Sequence, residues 1–206
     1  MKIAIIGSGN VGGALAIQCI KAGHEVLVGV NFPLSEKSLT LAIAIGNDKL
    51  TSINEAVDKS ELIIVATPAH VVLTLLPNFG NVENKIIVDA TNAVRLKPTP
   101  YQTAFEAIKK VTGNDKVIKC FNTTGFDNLL DPNYHQFAID LFAAGSNLEG
   151  KQIVMKLALD LGFGACYDFG GDDKVELLEQ FALSWINLAI MQGHGRNMAF
   201  KVLTRN

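Results

Sequence analysis

The feature that most restricts how this chain can fold is Gly7-Ser8-Gly9-Asn10-Val11-Gly12, set between the apolar run Lys2 to Ile6 and a helix-period segment from Val11 to Ala22. Gly-x-Gly-x-x-Gly spacing alone is a weak signal, because glycine is common. Its context strengthens it: a strand ends at Ile6, a helix begins near Val11, and a second strand follows Gly23-His24. In that setting Gly7 allows the tight turn, Gly9 lets a pyrophosphate approach the backbone, and Gly12 lets helix and strand touch. Free amides at the helix start then meet the anion. The alternative, a glycine-rich turn with no ligand, is disfavoured by strand, helix and strand in that order.

Apolar runs of strand length alternate with helix-period segments along most of the chain, which predicts parallel strands joined by crossover helices. The expected strands are Lys2 to Ile6, Glu25 to Val30, Leu62 to Ala66, Lys85 to Ala90, Lys116 to Phe121, Gln136 to Ala143 and a last short one from Gly164 to Phe169. Helices are expected over Val11 to Ala22, Val71 to Leu76 with Pro77 as its stop, Asn147 to about Leu161, and from Lys174 onward. The fold class is thus α/β: a Rossmann-type, doubly wound, mostly parallel sheet with a small C-terminal helical part. A soft boundary near Gly145 separates a dinucleotide-binding domain over 1–145 from a docked strand and helices over 146–206.

Composition bounds the remainder. Among 206 residues, 49% are hydrophobic and 18% charged, with a mean hydropathy of +0.26, enough apolar surface for a large core. The longest uncharged stretch, between Glu61 and Glu83, is interrupted by Pro68, His70, Pro77, Asn78, Gly80 and Asn81, too broken for a membrane span. After Met1-Lys2 the apolar segment is cut short at Gly7-Ser8-Gly9, which argues against a secretory leader. A net charge of −2 offers no footprint for nucleic acid or an anionic membrane. Cys19, Cys120 and Cys166 are odd in number and far apart, which argues against a disulfide framework or zinc site and for a reducing, cytoplasmic location.

In this fold class the ribose hydroxyls are read at the end of the second strand, where an acid favours NAD and a basic residue NADP. Asn31 stands there, followed by Phe32-Pro33, Ser35 and Lys37. With no carboxylate present, Asn31, Ser35 and Lys37 favour NADP and Phe32 can stack on adenine; the alternative is a loop that ignores the phosphate. Ligands lie beyond the carboxyl ends of the strands, so Thr67-Pro68-Ala69-His70, Ala90-Thr91-Asn92-Ala93 and Phe121-Asn122-Thr123-Thr124-Gly125 are expected to line the nicotinamide half. For Thr67, Asn92 or Asn122 singly, ordinary turn chemistry is an equal reading. His70 is the one histidine beside a strand end that faces the expected cleft and the histidine candidate for proton transfer, although a polar residue in a first helical turn is more often structural. His24, His135 and His194 have weaker claims. The chain has no Ser-His-Asp order, paired carboxylates or poised lysine, as expected if cofactors carry a hydride between them.

These residues suggest a family. The glycine motif, Asp89-Ala90-Thr91-Asn92, Lys119-Cys120-Phe121-Asn122-Thr123-Thr124-Gly125, Ser184-Trp185-Ile186-Asn187-Leu188 and Gly193-His194-Gly195-Arg196-Asn197-Met198-Ala199-Phe200-Lys201 together resemble the coenzyme F-420-dependent NADP oxidoreductases. The cytosolic reductase domains of the STEAP metalloreductases are relatives of that family. The resemblance implies a homodimer that transfers hydride between NADP and a deazaflavin or flavin such as coenzyme F-420, FMN or FAD. It also implies that Ser8, Gly9, Asn10 and Val11 bind pyrophosphate, that Asn31 and Phe32 meet the adenosine end, and that Thr67, Pro68, Ala69, Asn92 and Ala93 hold ribose and nicotinamide. Two departures stand out. Val30-Asn31 replaces the Ser-Arg type of pair the family usually shows, and Glu176 replaces an Arg before Leu177-Leu178-Glu179, a poor neighbour for the anionic tail of F-420. Two other functions stay open. One is reduction of a small imine or carbonyl, which requires a proton donor such as His70 or Thr123; the other is a dinucleotide-binding sensor without turnover. The final helix carries apolar residues around most of its circumference, which predicts that a second copy of the chain covers it.

Overall fold

Lys2–Ile6 forms β1 in the computed structural model, which describes residues 1–94 and 96–205, and four consecutive aliphatic residues of that strand, Ile3 to Ile6, are fully buried. Such a run needs cover on both faces of a sheet, and the sheet supplies it. Ile3 and Ile5 point into a core shared with Ala14 and Leu15 of α1 (Asn10–Lys21). Ala4 and Ile6 point into the opposite core. The chain continues through β2 (Glu25–Gly29), α2 (Glu36–Ile45), β3 (Leu50–Thr51), α3 (Ile53–Asp58), β4 (Leu62–Val65), α4 (Val72–Leu75), β5 (Ile86–Asp89), α5 (Ala104–Thr112), β6 (Val117–Lys119) and α6 (Phe126–Leu130). A hairpin of β7 (Asn133–Tyr134) and β8 (Phe137–Ala138) leads to β9 (Asp140–Ala144), α7 (Leu148–Asp160), β10 (Ala165–Gly170) and α8 (Val175–Ile186). A π-turn over Asn187–Met191 prolongs α8.

The main sheet has eight strands in the order β10-β9-β6-β5-β4-β1-β2-β3. Pairings from β3 through β6 are parallel, with Ile3 opposite both Val26 and Leu62. The one antiparallel junction joins β6 to β9 at Lys119 and Ala144, and β10 then runs parallel to β9. α1 and α7 cover one face; α3, α4, α5 and α8 cover the other through Ile53, Leu75, Phe105 and Leu178. This is the expected Rossmann-type, doubly wound sheet. Because β9 is reversed, the carboxyl ends that converge on one edge are those of β1 to β6.

The structure redraws several elements. The segment Gln136 to Ala143, expected as one strand, breaks at Ile139 into β8 and β9, following a turn in which His135 takes a positive φ of 51°. The expected Val71 to Leu76 helix is one α-turn between two 3-10 turns, Ala69–Val71 and Leu76–Asn78. The α-turn stops at Leu75, just ahead of Pro77, which sits in the first positions of the second 3-10 turn, where its missing N–H leaves no bond unmade. α8 buries Val175 and Leu178 in the core on that face of the sheet and sets Trp185 against Gly125, its indole N–H donating to Met198 O (2.7 Å), but Leu177 is 54% exposed and, in the π-turn, Ile190 48% and Met191 59%, left without cover by the described residues. No described helix is long and apolar enough to cross a membrane.

Candidate functional site

The glycine motif begins where β1 ends. Gly7 turns the chain at a φ of +115° and donates its N–H to Gly29 O at 3.1 Å, tying the turn to the end of β2. A Cβ on Gly12 would collide with the carbonyl of Gly7, so only glycine lets α1 start this close to the strand. α1 has no side-chain cap and no acid in its first turn. By contrast α2, α3, α5 and α7 are capped by Ser35, Ser52, Thr103 and Asn147 and carry Glu36, Glu55, Glu106 and Glu149 in their first turns. The amides at the start of α1, around Asn10 and Val11, are therefore open to an anion, with Ser8 and Gly9 beside them.

A groove of about 360 Å³ opens from Gly7 and Ser8 across the ends of β2 and β4, lined by Asn31, Phe32, Ser35, Thr67, Pro68 and Val71 among others. Phe32 is 76% exposed at its rim. Lys37 does not reach this groove; it borders another with Gly9, Asn10, Glu36 and Phe126. The structure thus brings Asn31 and Ser35 together and sets Lys37 apart. It also adds a residue that sequence reasoning missed. Ser38, wholly buried, donates to Phe32 O (3.0 Å) and pairs with the hydroxyls of Ser8 (2.8 Å) and Ser35 (2.9 Å), latching the glycine turn to α2. Its place three residues after the cap Ser35 was the available signal.

The far half of the site is built from the ends of β4, β5 and β6. Pro68 precedes the short turn that buries Ala69 and leaves His70 exposed on the surface. Asn92 Nδ2 donates to Asn122 O (2.9 Å), and Asn122 Nδ2 returns a bond to Asn92 Oδ1 (3.0 Å). Phe121, the residue before Asn122, takes a φ of 61°, a strained conformation for a bulky side chain, with its ring buried edge-on against Phe163. Thr123 is buried at 3% exposure. Among the described residues, four buried side-chain polar atoms lack a hydrogen-bond partner, and three of them, Thr67 Oγ1, Thr91 Oγ1 and Asn122 Oδ1, sit at these three strand ends. Each such atom costs about 1–3 kcal/mol unless a partner arrives, so their concentration at one edge fits a ligand rich in hydroxyls and amide groups.

Beneath this half lies a buried charged cluster that the sequence did not disclose. Lys119 Nζ bonds Asp89 Oδ2 (2.9 Å) and Glu179 Oε1 (2.6 Å), the last from α8. Burial, reinforced by the charge of Asp89, holds the Glu179 carboxyl above its ordinary range in spite of Lys119. Glu176 faces elsewhere, on a groove with Thr103, Lys109 and Asp172. Cys120 and Cys166 are free, with sulfurs 4.0 Å apart, and burial pushes the Cys120 thiol well above its usual range.

A doubly wound, mostly parallel sheet whose first strand passes through a glycine turn into an uncapped helix is a Rossmann-type α/β fold. Residues 2–93, from β1 through Ala93, match the model of the family described as NADP oxidoreductase coenzyme F420-dependent, which bears out the resemblance read from the sequence. Among curated proteins, the chain is 27% identical over 128 residues to a glycerol-3-phosphate dehydrogenase [NAD(P)+] of Thermoanaerobacter sp., covering 57% of this chain and 39% of that one. It is 24% identical over 164 residues to the human metalloreductase STEAP2, covering 79% of this chain and 32% of that one. The chain thus spans well under half the length of these relatives. Among solved structures, a protein of Arthrobacter sp. FB24 named for an F420-dependent NADP reductase superimposes with a TM-score of 0.86 at 24% identity, over 99% of this chain and 100% of that one. An imine reductase of Myxococcus stipitatus, solved with NAD+, superimposes at 0.63 with 20% identity over 93% of this chain and 61% of that one. At these identities the likeness is one of fold.

Proposed function

We propose that this chain is an NAD(P)H-dependent oxidoreductase, with NADPH preferred, that aligns the reduced nicotinamide with a flavin or deazaflavin acceptor at the carboxyl edge of β1 to β6. The observation that carries the reading is the gathering of Thr67, Thr91 and Asn122 as unpartnered buried polar groups on the same edge as the uncapped start of α1. In this reading Gly7, Gly9 and Gly12 shape the turn, while Ser8 and the amides of Asn10 and Val11 bind the pyrophosphate. Asn31 and Ser35 meet the adenosine ribose and Phe32 covers the adenine. Thr67, Pro68, Ala69, Asn92, Ala93 and Asn122 form the wall of the nicotinamide half. The absence of a carboxylate among the described residues lining the adenosine groove supports the NADP preference.

When bound, the nicotinamide supplies the hydride, and the protein contributes alignment and exclusion of water. No free acid or base of the chain stands at the nicotinamide wall among the described residues: Lys119 there is engaged by two carboxylates. Reduction of an imine or carbonyl ranks second, because it needs a proton donor, and of the two candidates His70 is exposed on the surface and Thr123 is a buried hydroxyl. The test is a turnover screen of NADH and NADPH against FMN, FAD and F-420. NADPH oxidation with at least one acceptor is expected, and none with any of them overturns the reading. His70→Ala is expected to retain full turnover, and loss would move the imine reading ahead. We also propose a homodimer through the outer face of α8, where Leu177, Ile190 and Met191 are exposed; a monomer in sedimentation equilibrium overturns it.

A further inference from the structure

The cluster of Lys119, Asp89 and Glu179 has no part in the binding scheme above, and its geometry gives it one. Asp89 and Lys119 end β5 and β6 and are wholly buried, and Glu179, from the second turn of α8, is 7% exposed. The ammonium of Lys119 has three protons and three acceptors: Asp89 Oδ2 (2.9 Å), Glu179 Oε1 (2.6 Å) and the carbonyl of Thr91 (2.6 Å). The remaining carboxylate oxygens turn to the same loop. Asp89 Oδ1 accepts from Thr91 N (2.8 Å), and Glu179 Oε2 accepts from Ala93 N (3.1 Å). Three backbone groups of Thr91 to Ala93 are thus held by the three charged side chains, and Asn92 is delivered to Asn122 between them.

Two carboxylates and one ammonium taken out of water are costly, and apolar residues of similar size often stabilise a core as well or better. What such a cluster supplies and apolar side chains do not is directed hydrogen bonds to particular backbone groups. All of its bonds to the backbone fall on the one loop that walls the nicotinamide half. None falls on Ser8, Asn31 or Ser35 at the adenosine half.

We propose that Glu179, acting with Lys119 and Asp89, is a positioning residue for the nicotinamide end of the site: through Ala93 it holds Asn92 where the cofactor meets it. The proposal rests on the dinucleotide reading above. It makes α8, which lies outside the family-matched residues 2–93, part of the cofactor site.

The experiment compares wild type with Glu179→Gln, which has one acceptor oxygen in place of two and leaves the Lys119–Asp89 pair intact. Fluorescence titrations measure Kd for NADPH and NADH and for the adenosine halves 2′,5′-ADP and 5′-ADP. Glu179→Gln is expected to weaken the preferred dinucleotide about tenfold, about 1.4 kcal/mol, and to leave its adenosine half within about twofold. Equal loss for both ligands, or loss for neither, overturns the proposal, since a merely structural role does not tell the two halves apart. Amide hydrogen exchange of the free wild-type protein gives a second readout that needs no variant: Thr91 and Ala93 are expected to be protected, and rapid exchange at both overturns the clamp. Wild type binding neither dinucleotide overturns the functional reading, whereas wild type binding with no selective loss in the variant overturns the role of Glu179 alone.

Discussion

At Gly12 a methyl group has nowhere to go, because the carbonyl of Gly7 already occupies the space and belongs to backbone fixed by the Gly7–Gly29 bond. Gly12→Ala is expected to cost about 1–3 kcal/mol of stability and to abolish dinucleotide binding, since relief requires α1 to move off the turn. Thermal melts and NADPH titration check both, and unchanged binding would refute the argument. Lys119 is the opposite kind of residue, one whose surroundings and not its backbone make it irreplaceable. Lys119→Met leaves Asp89 and Glu179 as buried carboxylates without their cation and is expected to cost about 3–5 kcal/mol, read from urea unfolding. Nothing in the segment Val117 to Cys120 marks its one polar residue as buried; a lysine in a strand of that composition is equally compatible with an exposed strand end. Its burial follows from the position of β6 inside an eight-stranded sheet.

Among the elements, α2 governs how the adenosine half is shaped. Ser38 bonds its first turn to Ser8 of the glycine loop and to Phe32 O of the loop after β2, so the three segments move together. Ser38→Ala is expected to lower stability by about 1 kcal/mol and to weaken 5′-ADP binding, with turnover at saturating dinucleotide retained; a variant with normal 5′-ADP affinity would show the latch to be idle. The short helices α3 and α5 carry cap signals in plain view, Ser52 with Glu55 and Thr103 with Glu106, each pair three residues apart. They escape a periodicity reading because they span 6 and 9 residues, too few turns to establish a period. The expected strand Gln136 to Ala143 failed for a related reason: the apolar character of the segment does not reveal that the chain changes partner at Ile139, from the β7 hairpin to the main sheet.

For the molecule as a whole, pH separates two kinds of acid, the half-buried Asp172 and the buried Glu179. Asp172 stays below its ordinary value of 3.8 although burial opposes it, because Lys109 and Ser146 bond its ionised form. Its stabilisation is present above 3.8 and lost as pH falls through the lower folded value. Glu179 has the reverse sign. Burial and Asp89 raise it above 4.5, so the folded state holds that proton more tightly than the unfolded chain, and stability falls as pH rises from 4.5 through the folded value. Glu179→Gln is expected to remove that decline and to leave the acid limb below 3.8 intact, as measured by urea unfolding across pH. A parallel pH profile for variant and wild type would place the titration elsewhere.

The sequence by itself determined the class of sheet, the glycine turn and the strand-end segments that carry Thr67, Asn92 and Asn122. These are local facts: continuous apolar runs covered on both faces, a glycine where φ is positive, polar residues directly after apolar strands. Only the tertiary structure decided which strand ends share an edge, that Lys37 stands apart from Asn31 and Ser35, that His70 is exposed on the surface, and that Glu179 reaches the loop of Ala93 across a sequence separation of 86 residues. Each of these depends on strand order, on the reversal at β9 and on the side from which α8 packs. Hydrophobic pattern specifies that an element is buried, whereas the partner it is buried against is chosen by the fold as a whole.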